Sequence, residues 1–422
     1  MSPIGDTAIS KDSPMQRKDI HPKTPIRTLN RNLSDEVLVI EFDVTLVSAL
    51  LGMKAEFAKR ALDKRGNKFT LKDVFTLLDQ DAFGETFVPR SLIPEYLLKT
   101  SQTTKKINSI PVNNFQARHL LFQGDSLDLI KSLPDKIINC IVTSTPYWGM
   151  RLYPFYLETE WADGEICSLG HEQTPEGFIR HTLEILYHLK RVMVQDGSIW
   201  WNLMDTYNTR TQIRTNASET LRAMKGEDPR GWRDYECRRY SAGHSFLLDG
   251  EQCLIPSRVA ERASRIGYYV KSMIYWKKEG SMPETVNSRV TREAETIMHL
   301  SLQRTPYFDK EAYRILPQQL GGRNTKFEFD KVTDVWTLPT ASGTDGHGAQ
   351  FPLSLPGRCI GISTKQNDLI LDPFVGSGTT SLAAAKLERR SIGFDVNSDF
   401  LQIAQKRLAS NGFSLESNLV SQ

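Results

Sequence analysis

The sequence predicts an α/β fold: a mostly parallel, twisted sheet with helices on both faces, preceded by a small helical region. Three observations carry this. From Arg118 onward, short apolar runs alternate with helical patterns, as strand–helix–strand crossovers require. Short apolar runs such as Leu369 to Leu371 are the mark of strands buried on both faces. Asn367 to Asn397 reads as one whole βαβ unit with a ligand site at its corner.

In that unit Leu369-Ile370-Leu371 is the first strand, and the Ala-rich Thr379 to Leu387 is a helix of strong propensity. Ser391-Ile392-Gly393-Phe394 is the second strand and ends in Asp395. The turn Gly376-Ser377-Gly378-Thr379-Thr380 lets a ligand approach the backbone, and the helix N-terminus offers free N–H groups. A carboxylate closing the second strand can accept hydrogen bonds from both hydroxyls of a ribose. Asp395 lies 17 residues past Gly378, near the ~20-residue interval of dinucleotide folds. No GK[ST] lysine is present, and Ser381 replaces the third glycine of GxGxxG, which disfavours phosphorylated ligands. Adenosine without phosphates needs neither feature. A plain strand–turn–helix joint is the competing reading of the turn taken alone.

A chain of 422 residues holds one large α/β domain and an accessory region. With 39% apolar and 24% charged residues it has an ordinary soluble composition. A formal charge of +3 means that any polyanion site must come from local clustering. Five scattered cysteines without a CxxC pair, and few histidines, suggest no metal and no disulfide framework, hence reduced thiols in a cytoplasm. There is no signal-peptide core and no apolar run of membrane-spanning length.

In chain order, residues 1–33 read as a flexible basic arm and 34–114 as a helical region and linker. One helical pattern runs to Gly66 with Lys54, Lys59, Arg60, Lys64 and Arg65 on it, either a basic face or a solvated one. A second follows over TLKDVFTLLDQDAF. The main domain spans 115–412: a catalytic half to 310, an irregular connection over 311–348 and a cofactor half from 349, with 413–422 as a tail. In the first half a strand ends in Gly124-Asp125. The next ends in Thr143-Ser144-Thr145-Pro146-Tyr147-Trp148, where hydroxyls, a restrained turn and aromatics stand beyond a buried strand. A third strand, DGSIWWNLMD, ends at Asp205. Residues 206–250 carry Arg210, Arg214, Arg222, Arg230, Arg233, Arg238 and Arg239 among Trp232, Tyr235 and Tyr240, a composition suited to phosphate and base contact.

The two turns together resemble the S-adenosylmethionine-dependent DNA methyltransferases that modify amino groups. Asp372-Pro373-Phe374-Val375-Gly376-Ser377-Gly378-Thr379 is very close to that family's cofactor signature, and Thr143 to Trp148 to the TSPPYW signature of its N4-cytosine members. The catalytic motif comes first, as in the permuted beta class. Trp201-Asn202-Leu203-Met204-Asp205, Ile255-Pro256-Ser257-Arg258 and Trp276-Lys277-Lys278 add to the likeness, which spans roughly Leu120 to Leu408. One departure is Thr145, where the family has proline; its backbone carbonyl is retained.

The resemblance implies a Rossmann-like methyltransferase fold acting on a cytosine flipped out of double-stranded DNA. Ser144 and the Thr145 carbonyl would accept hydrogen bonds from the exocyclic amine. Tyr147 would stack the base, with Pro146, Trp148 and Asp205 completing the catalytic set. Asp372, Gly376, Gly378 and Thr379 would line the methionine end of the cofactor, Asp395 the ribose and Asp125 the adenine, joined by Phe351, Pro373, Phe374 and Ser377. Arg210, Arg214, Arg230, Arg233, Arg238 and Arg239 would contact DNA. Expected besides are S-adenosylhomocysteine as product, no metal, a monomer, no membrane, and a cognate restriction endonuclease as functional partner. Adenine-N6 methylation, an inactive DNA- or cofactor-binding homologue and a nicotinamide-dependent dehydrogenase are the rivals.

Overall fold

The computed structural model describes residues 33–80, 84–102, 110, 112, 118–148, 157–172, 174–208, 247–248, 250–279, 287–339 and 350–418. All but Leu33 of the expected arm, and most of the expected linker, lie outside them.

The N-terminal region is helical as expected, but a small antiparallel pair of strands, β1 (Glu41–Asp43) and β2 (Lys68–Thr70), stitches it together. The pattern expected to form one helix to Gly66 is two, Val44–Leu50 and Ala55–Ala61. The break falls at Gly52, whose φ of +69° suits glycine and where a Cβ would stand 2.5 Å from the Gly84 carbonyl. Leu71–Leu78 follows, started by a capping box between Thr70 and Asp73. The expected basic face is partly neutralised, since Lys64 pairs with Asp73 and Lys59 bonds Asn67. Helix Ile93–Gln102 closes the region. It is not a separate module, because Val47, Leu50, Phe87 and Ile93 belong to the same apolar core as Phe178, Leu183 and Leu186 of the main domain.

In the main domain β3 (His119–Gln123) and β4 (Ile138–Ser144) precede a two-strand hairpin, β5 (Thr159–Glu160) with β6 (Ile166–Cys167). Helix Pro175–Val192 leads to β7 (Met193–Leu203), and helix Ile255–Arg265 to β8 (Tyr269–Glu279) and β9 (Ala294–Ser301). Then come β10 (Val335–Pro339), helix Ser354–Ser363, β11 (Leu369–Asp372), helix Thr379–Lys386, β12 (Arg390–Asp395), helix Ser398–Ser410 and β13 (Glu416–Asn418). Nine strands form one sheet in the order β10-β8-β9-β7-β4-β11-β12-β3-β13. All neighbours are parallel except those of β9, which runs against β7 and β8. The expected α/β class is what the chain adopts.

Two boundaries need correction. The connection over 311–348 contains the edge strand β10, and the tail after 413 contains the opposite edge, β13. Nor does the sheet divide between catalytic and cofactor halves, for β3 lies beyond β12. That interleaving positions the site. After β4 the chain crosses to β7 on one side, and after β11 to β12 on the other. The crevice beyond the carboxyl ends of β4 and β11 is therefore the switch point where open parallel sheets bind ligands.

Candidate active site

The two turns singled out in the sequence leave these adjacent strands and are tied to each other. Thr143 Oγ1 donates to Asp372 Oδ1 at 2.7 Å, Thr380 Oγ1 to Asp372 Oδ2 at 2.6 Å, and the Phe374 amide to Oδ1 at 3.0 Å. Asp372 is 2% exposed, and burial pushes its carboxyl up to about 6 despite these donors. Asp372 was expected to line the methionine end of a cofactor. Its carboxylate is instead turned inward, where it clamps one turn to the other.

The glycine turn keeps its expected form. Gly376 and Gly378 have φ of +51° and +80°. A Cβ on Gly378 would stand 2.7 Å from that of Ala404, so this glycine also admits the final helix. Thr379 and Ser377 are buried, and Thr379 Oγ1 accepts from Arg407 at 2.8 Å. The Pro373 carbonyl accepts from Ser126 Oγ at 2.5 Å. Phe374 packs edge-on to Trp201 at 6.3 Å, and Phe351 lies against the core cluster containing Trp336 and Leu355.

Asp395 closes β12 beside this turn, held by the amides of Gly376 at 2.9 Å and Asn397 at 2.8 Å. Burial lifts its carboxyl to about 6. Backbone amides do not exhaust the acceptor sites of a carboxylate, so Asp395 keeps capacity for a ribose hydroxyl. Asp125 stands at the end of the neighbouring β3, where Gly124 N reaches the Asp395 carbonyl at 3.0 Å. Both Asp125 oxygens are engaged, one capping helix Ser126–Ser132 at Asp128 N and one accepting from Thr159 Oγ1 at 2.6 Å. A positive-φ glycine turn, a carboxylate with spare acceptor capacity and a helix N-terminus fit an adenosyl ligand without phosphates.

On the catalytic side, Ser144 is the last residue of β4 and pairs in register with Asn202 of β7. Its Oγ donates to the Tyr147 hydroxyl at 3.2 Å, and Tyr147 donates in turn to Glu295 Oε2. Asn202 Nδ2 lies 2.7 Å from the Tyr147 hydroxyl and 2.6 Å from Glu295 Oε2. Lys278 pairs with Glu295 Oε1. Glu295 and Asn202 are 6% and 1% exposed, so this end of the network is buried, while Ser144, Tyr147 and Lys278 are half-buried. The sequence reading missed Glu295 altogether and gave Asn202 and Lys278 no role. The Thr145 hydroxyl and Asn202 Oδ1 are buried with no hydrogen-bond partner among the described residues.

Two expected catalytic residues do other work. Trp148 is 2% exposed and its Nε1 donates to the Glu172 carbonyl at 2.9 Å, so it anchors the turn in the core. Asp205 accepts from the amides of Leu254 at 3.0 Å and Ile255 at 2.9 Å, at the start of helix Ile255–Arg265. Pro146 backs onto Gly170, whose amide is held by the Glu172 carboxylate. Glu172 and Asp163 flank the buried His181 imidazole at 3.1 and 3.2 Å, and their charges raise it to about 9 although burial opposes this. Glu165, Cys167 and His181 bring donor atoms within 4.8 Å of one another, a grouping the sequence spacing did not suggest.

The six arginines expected to contact DNA lie outside the described residues. The stem of their insertion is described. Asn208 N bonds the Glu251 carbonyl at 2.7 Å and Cys253 N the Thr206 carbonyl at 2.8 Å, so the two ends of the excursion meet. At that stem the Tyr207 ring carries Arg289 at 3.9 Å and Arg292 at 4.9 Å, arginines of the polar loop before β9.

A family model for DNA methylases acting at N6 or N4 matches residues 138–406. Among characterised proteins, the type II methyltransferase M.Cfr9I of Citrobacter freundii is 32% identical over 68% of this chain and 87% of its own length. M.XycI of Xanthomonas campestris pv. cyanopsidis is 31% identical, again over 68% and 87%. Among solved structures, the cytosine-N4-specific PvuII DNA methyltransferase is similar over 71% of this chain and 92% of its own, with 18% identity and a TM-score of 0.49.

Proposed function

The chain belongs to the N6/N4 family of DNA methylases, and from that premise we propose that it methylates the exocyclic N4 of cytosine in double-stranded DNA, as the modification half of a type II restriction–modification system. S-adenosylmethionine, when bound, supplies a sulfonium methyl and leaves as S-adenosylhomocysteine. The rest is done by residues of the chain. The Gly376–Gly378 backbone admits the cofactor and Asp395 accepts from its ribose. The flipped base stacks on the Tyr147 ring, which stands beside Ser144. The Ser144 hydroxyl and Thr145 carbonyl accept from the amine and aim its nitrogen at the methyl, catalysis by positioning and electrostatics. The endonuclease is a functional partner, and the enzyme works as a cytoplasmic monomer.

The observation that carries the cytosine reading is Ser144. A neutral hydroxyl whose own hydrogen is directed at Tyr147 presents lone pairs to an amino group without adding a second carboxylate beside Glu295. Mass spectrometry of nucleosides from DNA incubated with protein and S-adenosylmethionine tests it. N4-methylcytosine is the expected product, and Ser144→Ala should lower turnover by about 10²-fold, the usual cost of losing one oriented partner in a transition state. N6-methyladenine would overturn the base assignment. No methylated base, with cofactor still bound, would point to the inactive reading at Thr145.

A further inference from the structure

We propose that Ser144, Tyr147 and Glu295 form a directed relay that takes the surplus proton from the amine as it is methylated, with Asn202 and Lys278 fixing its direction. The proposal rests on the methyl-transfer reading above. Its argument is donor and acceptor accounting. Glu295 brings only acceptors to Oε2, since Lys278 occupies Oε1. Tyr147 has one hydrogen, and Glu295 Oε2 takes it. Asn202 Nδ2 can only donate, so toward both Asn202 and Ser144 the tyrosine oxygen is an acceptor. The Ser144 hydrogen therefore points inward to Tyr147. What Ser144 Oγ offers the substrate is acceptor capacity alone, one lone pair facing Asn202 Nδ2 at 3.4 Å and the other left for the amine.

As the new N–C bond forms and the methyl's bond to sulfur breaks, the amine nitrogen becomes cationic and holds one proton too many. Its N–H bond breaks toward Ser144 Oγ while the serine proton passes to the Tyr147 oxygen and the tyrosine proton to Glu295 Oε2. Serine and tyrosine each end with one proton, the amine is neutral, and Glu295 is protonated until it releases the proton to solvent. The far end of the chain is buried at Glu295 and Asn202, while Ser144 and Tyr147 are half-buried at the crevice where a base would enter. Nothing in the turn motifs announces the relay. Its far end comes from β9, and its orienting groups from β7 and β8.

Tyr147→Phe is the discriminating variant: it keeps the ring for stacking, the Lys278–Glu295 pair and the Asn202–Glu295 bond, and removes the hydroxyl that links Ser144 to Glu295. Cofactor affinity by calorimetry and base flipping by 2-aminopurine fluorescence should stay within about twofold of the parent. The single-turnover methylation rate should fall by about 10²-fold, the scale of general acid–base assistance. Glu295→Gln should slow the same step, and the double variant should be no slower than the slower single, as for residues acting as one unit. A Tyr147→Phe rate equal to the parent's, or single effects that multiply in the double variant, would overturn the relay while leaving the methyltransferase reading intact. A parent protein that yields no methylated nucleoside would overturn both.

Discussion

Asp372 and Asp395 show how one physical cause serves two purposes. Burial raises both carboxyls to about 6, yet Asp372 has Thr143 and Thr380 on its oxygens and joins the two turns, while Asp395 keeps acceptor capacity at the crevice. A ribose needs the ionised form of Asp395. Cofactor affinity should therefore climb as pH rises through about 6 and level off above it. Asp395→Asn should flatten that climb and weaken binding about tenfold at pH 8, close to 1.4 kcal/mol. Calorimetric titration at pH 5, 6.5 and 8 checks this, and a flat parent profile would remove the ribose role. The linkage to stability has the opposite sign. A carboxyl raised by folding binds extra protons in the native state between the usual carboxylate range and about 6. Stability from these two sites thus declines as pH rises through that window. At this scale the sequence was readable where chemistry is contiguous: Ser144, Tyr147, Gly376, Gly378 and Asp395 sit in short motifs. Glu295 and Lys278 were not, since each lies in an ordinary strand pattern and acquires meaning only when β8 and β9 bring it beside Tyr147.

Among elements, the same contrast separates core strands from edges. β11 and the middle of β4 and β7 carry apolar runs, Leu369 to Leu371, Cys140 to Val142 and Ile199 to Trp201, buried as central parallel strands are, and such runs identify themselves. β10 and β13 are short and lie at the two ends of the sheet, and β13 is polar, Glu-Ser-Asn. Only their partners make them strands. The helix partners of Asp205 were hidden for a related reason. A carboxylate at a strand end is as apt to cap a helix as to face a substrate, and the helix it caps begins 50 residues later. Asp205→Ala should thus cost about 1 kcal/mol in urea unfolding, the usual value of a cap, and leave the single-turnover rate of folded protein unchanged. A lowered rate at unaltered stability would return Asp205 to the catalytic set.

For the whole molecule, the N-terminal region is best understood as a buttress. Phe87 is fully buried, stacks on Tyr187 at 5.1 Å and meets Tyr96 edge-on at 6.2 Å. Thr86 Oγ1 ties this segment to the Ala49 carbonyl at 2.8 Å. Tyr187 belongs to helix Pro175–Val192, and the segment entering that helix holds the catalytic turn through Trp148 and Gly170. Force thus passes from the first hundred residues through one helix to the turn that carries Ser144. Phe87→Ala should cost about 3–5 kcal/mol, as for other buried aromatic truncations. Fluorescence and circular dichroism should report one coincident unfolding transition in the parent, because the two regions share a core. Two separated transitions in the parent would mean an independent module and would end the buttress account. A single transition in the parent, with a weakened variant whose turnover falls more than its cofactor affinity, would tie N-terminal packing to the placement of the catalytic turn.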